Sequence, residues 1–194
     1  MVEDAAGGFC RRCGCANVLK VPVGDTRARA MCPSCGNVEY DNPKVVVTCP
    51  LHEGDRVLWV RRTIPPYAGC WAIPSGFVEV GETLAEAACR EVFEETYLRL
   101  DPDSLVLYGV LSLPDLDQIY VALAAPLPSH DYRPSLEVSE LRMVRRAEVA
   151  ELNLGYPPAT LELLLGLYDV ISGDGLDRGG RRLWEMRGRD PGAT

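Results

Sequence analysis

Short apolar runs separated by turn residues dominate the middle of the chain. Residues 44–49 (KVVVTC) form a β-branched run beside prolines, which is typical of a buried strand. Residues 56–61 (RVLWVR) follow the turn sequence Glu53-Gly54-Asp55, which predicts a hairpin and a second strand. Further strands are predicted at residues 105–113, 118–125 and 141–145, with a short extended segment at 71–74.

Two segments, residues 84–96 and 157–171, are predicted to be helices instead. Thr83 and Glu86 have the spacing of a capping box at the start of the first helix. Apolar residues on that helix recur at a spacing that predicts a stripe facing the core. The stripe consists of Leu84, Ala85, Ala88, Cys89 and Val92. Strands interleaved with two helices predict an α/β protein, a sandwich with a mixed sheet.

The composition of the chain disfavours nucleic acids and membranes as binding partners. The chain has 194 residues, and 28 Asp and Glu against 20 Lys and Arg give a formal charge of -8, which disfavours nucleic-acid binding by bulk charge. With 47% hydrophobic and 25% charged residues, a soluble globular protein is predicted. No apolar stretch approaches the roughly 18 residues of a membrane span, and residues 1–9 do not resemble a secretory signal. We therefore expect a cytoplasmic protein with reduced thiols.

Five of the eight cysteines lie within residues 1–42, where they include two Cys-x-x-Cys pairs, each followed by glycine. The gap of 18 residues between the pairs has the spacing of a structural zinc ribbon. Four thiolates would close a tetrahedral shell and leave no position for water. The predicted Zn²⁺ ligands are Cys10, Cys13, Cys32 and Cys35. Buried or redox-active cysteines are the alternative. Of the others, Cys15 is predicted to have no role, and Cys49, Cys70 and Cys89 are predicted to lie in the core.

Three acidic residues are concentrated near the end of the first helix. Glu91, Glu94 and Glu95 lie at i, i+3 and i+4, so they project from one side. Like charges at these spacings cost about 0.2–0.5 kcal/mol each, and the C-terminal end of the helix dipole disfavours them further. Arg90 is expected to lie beside Glu91 and a turn away from the other two. Hard divalent cations such as Mg²⁺ or Mn²⁺ would supply the missing positive charge, and a solvated acidic face is the alternative.

The stretch from Gly76 to Leu98 resembles the Nudix box, Gly-x5-Glu-x7-Arg-Glu-U-x-Glu-Glu-x-Gly-U, in which U is apolar. Tyr97 stands where the motif has its last glycine, which leaves the conformation after the helix open. A zinc ribbon followed by a Nudix domain is similar to the FAD and ADP-ribose pyrophosphatases and, more distantly, to the NADH pyrophosphatases. The resemblance implies a Nudix α/β/α sandwich with a mixed sheet, preceded by a small zinc ribbon. We divide the chain into a zinc ribbon (1–42), a Nudix hydrolase domain (43–172) and a weakly ordered tail (173–194).

The resemblance also implies a catalytic site. Its residues would be Glu82, Arg90, Glu91, Glu94, Glu95 and Glu137, and its ligands for Mg²⁺ or Mn²⁺ would be Gly76, Glu91, Glu94, Glu95 and Glu137. One of the glutamates would act as general base, Arg90 would orient Glu91 or neutralise part of the cluster, and Glu82 would orient the site. Glu86 is expected to cap the helix, and Glu140 is the second choice after Glu137.

The activity implied is metal-dependent hydrolysis of the pyrophosphate bond in a nucleoside diphosphate linked to another group, with FAD or ADP-ribose as substrate and AMP as a product. NAD(H) or a nucleotide sugar is an alternative substrate, although the chain lacks the Ser-Gln-Pro-Trp-Pro-Phe-Pro-x-Ser element of the NADH branch. A non-catalytic, ligand-binding Nudix protein is a further alternative. Tyr67 is a candidate substrate contact, and Trp59 and Trp71 are expected in the core. A homodimer is a further expectation of the resemblance.

Overall fold

The computed structural model describes residues 7–156, 158–171 and 185–187. The chain divides into two compact units, Met1–Asn42 and Pro43–Thr194. Within the described part, no helix combines the length and the apolar character that crossing a bilayer requires.

The N-terminal unit is a small antiparallel sheet of three strands in the order β1-β2-β3. The strands are β1 (Val18–Lys20), β2 (Arg29–Met31) and β3 (Val38–Glu39). Their side chains are exposed or only half-buried, and the buried positions of this unit include Cys10 and Cys32. So little apolar surface cannot hold a unit of this size together, which makes the cysteines the expected source of its stability.

The C-terminal unit is built on a mixed sheet that contains the predicted strands. Its strands are β4 (Lys44–Thr48), β5 (Leu51–Glu53), β6 (Arg56–Arg62), β7 (Trp71–Ala72), β8 (Ser75–Phe77), β9 (Val106–Leu113), β10 (Gln118–Pro126), β11 (Val138–Arg145) and β12 (Glu185–Arg187). Strand β10 pairs parallel with β4 and β5 and antiparallel with β9, while β6 joins β5 to β11. The predicted hairpin is confirmed, because β5 and β6 pair across the turn at Gly54.

Helices cover both faces of this sheet. Neighbouring residues of β6 point to opposite faces, so that Trp59 joins the core beneath helix α2 (Pro158–Ile171) and Leu58 joins the core beneath helix α1 (Leu84–Thr96). Alternation of the same kind along β10 sends Ala122 and Ala124 to the α2 side and Val121 and Leu123 to the α1 side. The predicted α/β/α sandwich with a mixed sheet is therefore confirmed.

Helix α1 begins and ends where the sequence predicts. The Thr83 side chain accepts a hydrogen bond from the Glu86 amide, and the Glu86 carboxylate accepts one from the Thr83 amide, so both halves of the capping box form. The core face differs slightly from the prediction, because Leu84 is largely exposed while Ala87 is buried with Ala88 and Val92.

Tyr97 ends helix α1 in the left-handed conformation, with φ 62° and ψ 7°, and its amide donates a hydrogen bond to the Phe93 carbonyl. The tyrosine thus adopts the conformation that the glycine of the motif would provide. Its ring packs edge-on against Phe93, with ring centroids 6.0 Å apart, and the Arg133 guanidinium lies 4.4 Å from its centroid. These contacts account for a non-glycine residue in a conformation that costs about 1–2 kcal/mol.

Three cysteines were predicted to lie in the core, and only Cys49 does so. Cys70 and Cys89 are half-buried, because the segment before β7 and the outer side of α1 reach the surface. Of the tail predicted at 173–194, the structure describes only residues 185–187, whose backbone pairs parallel with β9. The rest of that prediction lies outside the described residues, as does residue 157 at the predicted start of the second helix.

Candidate active site

A cavity of about 580 Å³ lies in the C-terminal unit, lined by residues of β4, β6, β8, β10 and α1. Its lining includes five glutamates, namely Glu79, Glu91, Glu94, Glu95 and Glu137. The predicted Gly76 and Tyr67 also line it, whereas Glu82 and Glu140 do not belong to the lining. The structure thus brings the predicted ligands of helix α1 and the distant Glu137 to one cavity.

Glu95 is the buried acid of this cavity, with 3% of its surface exposed, and its Oε2 atom has no hydrogen-bond partner among the described residues. Burial and the neighbouring Glu91 carboxylate together raise the pKa of Glu95 to about 8, against the lowering effects of Arg62 and the Ser75 backbone N–H. Burial also raises the pKa of Glu91, against the lowering effect of Arg90. The two carboxyls therefore have less compensating positive charge than their burial requires.

Arg90 joins the acids of the Nudix-like motif into one network. Its Nε lies 2.7 Å from Glu82 Oε1, and its Nη2 donates to the Phe77 carbonyl at 2.9 Å. Its Nη1 lies 2.7 Å from Glu91 Oε1 and 3.2 Å from Glu94 Oε2. Arg90 and Glu94 lie one turn apart on the helix, as predicted, and their side chains nevertheless meet because residues at i and i+4 share one helix face.

Glu82 contacts Arg90 rather than the cavity. Hydrogen bonds from Arg90 and from the Glu79 amide lower the pKa of Glu82 to about 2, so the group stays ionised at any physiological pH. The Glu82 carboxylate holds the Arg90 guanidinium in place, and that guanidinium in turn contacts Glu91 and Glu94. Glu86 is occupied by the helix cap, as predicted.

Gly76 lies on β8 opposite Val47 of β4. A Cβ atom at residue 76 would overlap the carboxylate of Glu91. Glycine is thus required here by close approach, which lets the backbone at residue 76 lie directly against a predicted metal ligand.

The donor set of the cavity fits a hard divalent cation. Its acidic groups offer only oxygen, which is the ligand that Mg²⁺ and Mn²⁺ prefer, and one buried carboxylate oxygen has no partner. The glutamate carboxylates are more widely spaced than the thiols of the N-terminal unit. Among the described residues, the four cysteines are the only group of three or more potential ligands whose donor atoms all lie within 4.8 Å of one another.

That cysteine cluster has the geometry of a tetrahedral site. Cys10 Sγ lies 3.6 Å from Cys35 Sγ, and Cys13 Sγ lies 3.4 Å from Cys32 Sγ. Sulfurs about 2.3 Å from a central zinc ion would be separated by about 3.8 Å, so the four thiols leave room for one such ion. Gly14 and Gly36 close the two turns with φ of 75° and 71°. Cys15 is exposed and does not belong to the cluster.

Sequence reasoning missed several residues that line the cavity, among them Arg62, Phe77 and Tyr156. Arg62 is the only Lys or Arg among the described lining residues, and its buried Nε has no hydrogen-bond partner among them. The neighbouring Arg61 instead bonds the Gly69 carbonyl and pairs with Glu140. The alternation of a strand could have separated the two arginines, but nothing in the sequence says which side faces a cavity.

Apolar and aromatic side chains form the rim of the cavity. The rim, defined here as Ile64, Tyr67, Phe77 and Leu116, lines the cavity although each of these side chains is at least 36% exposed. Exposed apolar groups gathered around an acidic floor are typical of a binding groove for a ligand with a flat, apolar part. Trp59, Trp71 and Tyr108 are buried in the core instead.

Comparison with known proteins identifies this arrangement. The model of the NUDIX domain matches residues 42–163, and the model described as Nudix N-terminal, a zinc ribbon, matches residues 8–41. The chain belongs to the Nudix family. A crystal structure of a NUDIX hydrolase from Nitrosomonas europaea is 32% identical, with a TM-score of 0.80 over 93% of this chain and 99% of that one. The resemblance found in the sequence is confirmed.

Two curated Nudix relatives differ in how much of the chain they match. An ADP-ribose pyrophosphatase from Methanocaldococcus jannaschii is 44% identical over 78 residues, which are 40% of this chain and 45% of that protein. A NAD-capped RNA hydrolase, NudC, from Photobacterium profundum is 29% identical over 158 residues, 81% of this chain and 56% of that protein. The chain therefore spans about half the length of these relatives.

Proposed function

We propose that this Nudix chain hydrolyses the pyrophosphate bond of a nucleoside diphosphate linked to another group, with FAD or ADP-ribose as the preferred substrate and AMP as a product. One observation carries the proposal. A single cavity combines five glutamates, one arginine without an ion-pair partner among the described residues, and an apolar rim. Such a cavity complements a ligand with two parts. Its pyrophosphate, which carries two negative charges, would lie among the glutamates and the arginine, and its aromatic ring would lie against the apolar rim.

The acids of the floor would hold Mg²⁺ or Mn²⁺. The proposed ligands are Gly76, Glu91, Glu94, Glu95 and Glu137, of which the glutamates line the cavity together with Gly76. Bound there, the cation would neutralise the phosphates and lower the pKa of a coordinated water. Arg90 would hold Glu91 and Glu94 in orientation, because it contacts both carboxylates and is itself fixed by Glu82.

Arg62 would bind a phosphate oxygen that the cations leave unpaired. Its guanidinium has no ion pair within 4 Å among the described residues, and its Nε is already removed from water. A cation held in this way gains most from an anion that arrives with the substrate. Tyr67 and Phe77, on the rim, would stack on the adenine or flavin ring.

Similarity supports two substrate classes. The relative at 44% identity is an ADP-ribose pyrophosphatase, which favours ADP-ribose. The NudC relative matches 81% of this chain, and this observation makes a NAD-type dinucleotide the second candidate. Both contain the same phosphoanhydride between two nucleoside or ribosyl groups, so the cavity floor serves either one.

The N-terminal unit would be a structural zinc ribbon at residues 1–42, attached to a hydrolase domain at 43–172. The convergence of its four thiols within 4.8 Å supports this assignment. A homodimer remains a proposal from the family resemblance, and light scattering of the purified protein tests it.

A hydrolysis panel tests the proposed function. The purified chain is incubated with FAD, ADP-ribose, NADH and a nucleoside triphosphate, with Mg²⁺ or Mn²⁺ and with a chelator, and AMP is measured. We expect AMP from FAD or ADP-ribose only when the divalent cation is present. Release of AMP in the chelator, or turnover of the nucleoside triphosphate alone, would contradict the proposal.

Glu95→Gln provides the variant arm of this test. The amide keeps the shape of a buried side chain without its charge, so folding should persist while turnover falls by at least about 100-fold. Glu53→Gln is the matched control, because Glu53 is exposed and pairs with His130 away from the cavity. Equal activity in the two variants would count against Glu95 as a ligand.

A further inference from the structure

Tyr156 binds the backbone of a single residue twice at the wall of the cavity. Its hydroxyl accepts a hydrogen bond from the Ile73 amide and donates one to the Ile73 carbonyl at 3.1 Å. One phenol thus satisfies both backbone groups of a residue in the segment between β7 and β8. Ile73 itself is 1% exposed, so these backbone groups have no access to water as an alternative.

The neighbouring residues extend the same attachment. Asn153–Tyr156, which we name the latch segment, runs parallel to the chain at Trp71. The Trp71 amide donates to the Asn153 carbonyl at 2.7 Å, and the Gly155 amide donates to the Trp71 carbonyl at 3.0 Å. A Cβ at residue 155 would lie 2.9 Å from the Cβ of Tyr67, so the absence of a side chain lets the latch segment approach this closely.

The residues that follow Ile73 reach the proposed cation site. Ser75 lines the same cavity as Glu95, and its backbone N–H lowers the pKa of that carboxyl, while the backbone of Gly76 lies against the Glu91 carboxylate. A shift of Ile73 would therefore be transmitted through two residues to both acids.

The core fixes Tyr156 in turn. Its ring contacts Trp59 edge-on, with centroids 6.3 Å apart and an interplanar angle of 74°. Trp59 is fully buried, and its indole N–H donates to the Tyr168 hydroxyl of α2 at 2.9 Å. The Tyr168 hydroxyl donates to the Val144 carbonyl at 2.9 Å. The Tyr156 ring therefore packs on Trp59 through the aromatic contact, while the Tyr168 hydroxyl bonds Trp59 and Val144 and has no hydrogen bond to residues 73–76 in the described part of the chain.

We propose that Tyr156 is a positioning residue, whose hydroxyl fixes residues 73–76 and thereby the orientation of Glu91 and Glu95 for a divalent cation. The proposal rests on the proposed function, because it assigns those glutamates to cation binding. The affinity for the cation would then depend on Tyr156, a residue that lies outside the Nudix motif.

Tyr156→Phe and Tyr168→Phe form a matched pair that tests the proposal. Each substitution removes one hydroxyl that accepts one hydrogen bond and donates another, and each keeps the ring. Mn²⁺ binding is measured by calorimetry without substrate, and kcat and KM are measured with the substrate identified by the panel. We expect Tyr156→Phe to weaken Mn²⁺ binding and lower kcat by about 10- to 100-fold with KM unchanged. Tyr168→Phe should leave all three values at the wild-type level.

Hydrogen exchange at the Ile73 amide reports directly on its hydrogen bond to the Tyr156 hydroxyl. This amide should exchange faster in Tyr156→Phe and at the wild-type rate in Tyr168→Phe. If Tyr156→Phe shows fast exchange at Ile73 but keeps the wild-type Mn²⁺ affinity and kcat, the role of Tyr156 is overturned while the proposed function stands. Equal losses in both variants would also overturn the role of Tyr156, since they would indicate a general effect of the core. Wild-type protein that binds no Mn²⁺ would overturn both this proposal and the proposed function.

Discussion

The two candidate metal sites of this chain differ in how completely the protein arranges the donors. In the N-terminal unit, four sulfurs lie within 4.8 Å of one another. In the Nudix unit, Glu91 and Glu94 bond to Arg90, while the buried Glu95 Oε2 has no partner among the described residues. All four thiols of the first site can therefore reach one cation together, whereas at the second site two carboxylates already have a protein partner that a cation could replace.

This difference follows from the chemistry of the donors. Thiolates that converge from two short turns close a shell, and a closed shell contributes folding energy but leaves no position for water or substrate. Carboxylates on a helix are fixed by their own packing and can remain apart until a cation and an anionic ligand bind together. The chain thus separates a metal that would maintain structure from metals that would participate in a reaction.

The largest effect should come from breaking the cysteine site. Cys32→Ser should abolish Zn²⁺ binding and unfold residues 1–42, because zinc binding contributes about 10–16 kcal/mol in small zinc units. Among the described residues, the two cores of the Nudix unit are formed by residues between 45 and 171, so its thermal transition should persist. Metal analysis and calorimetric melting measure both outcomes.

Cys15→Ser is the control for this prediction, since Cys15 is exposed and outside the cluster. It should retain about one zinc per chain, as expected for a single tetrahedral site. A Cys32→Ser protein that still binds one zinc would contradict the assignment of the ligands.

Arg62→Gln should have the next largest effect. Removing this guanidinium, which has no ion pair in the described part of the chain, should lower kcat/KM by about 100-fold, comparable with the loss of one donor to developing negative charge. Arg61→Gln is the matched control, because the neighbouring side chain pairs with Glu140 instead of lining the cavity. If the two variants lose activity equally, the substrate does not depend on Arg62.

Glu137→Gln and Glu140→Gln test which acidic residues belong to the acidic cavity of the Nudix unit. Glu137 lines the cavity, so its neutralisation should lower metal affinity or activity by about 10- to 100-fold. Glu140 pairs with Arg61 at the surface, and its loss should leave the kinetics unchanged. Steady-state kinetics over a Mn²⁺ titration separates the two. Wild-type behaviour of Glu137→Gln would remove that residue from the proposed site.

The smallest effect is expected at the end of helix α1. Tyr97→Ala would keep the left-handed strain and lose the contacts to Phe93 and Arg133, whereas Tyr97→Gly would lose the same contacts and relieve the strain. The glycine variant should therefore be more stable than the alanine variant by about 1 kcal/mol. Chemical denaturation measures this difference, and an alanine variant at least as stable as the glycine variant would refute it.

Local signals predicted most of the fold. The capping box fixed the start of α1, and alternating apolar runs identified β4, β6, β9 and β10 within one or two residues. Three glutamates of the cavity, Glu91, Glu94 and Glu95, could also be predicted, because their spacing on one helix is a local property. For the same reason, the two Cys-x-x-Cys pairs were sufficient to predict the cluster in which they meet.

The parts of the site that could not be predicted come from distant segments. Arg62 ends β6 and Tyr156 lies beyond β11, and only the folded chain brings them to the cavity of α1. No periodicity in either segment distinguishes a cavity-lining side chain from an exposed one. Tyr97 illustrates a different difficulty, because the motif indicated a glycine, and the compensating Arg133 lies 36 residues further along the chain.

The crowding at Gly76 restricts how this sequence can vary. Even alanine, the smallest replacement, would have to displace the Glu91 carboxylate. The displaced chain could rotate toward solvent, so such a variant should still fold. In a library randomised at this codon, selection for turnover should therefore recover only the wild-type residue, whereas selection for expression alone should tolerate substitutions.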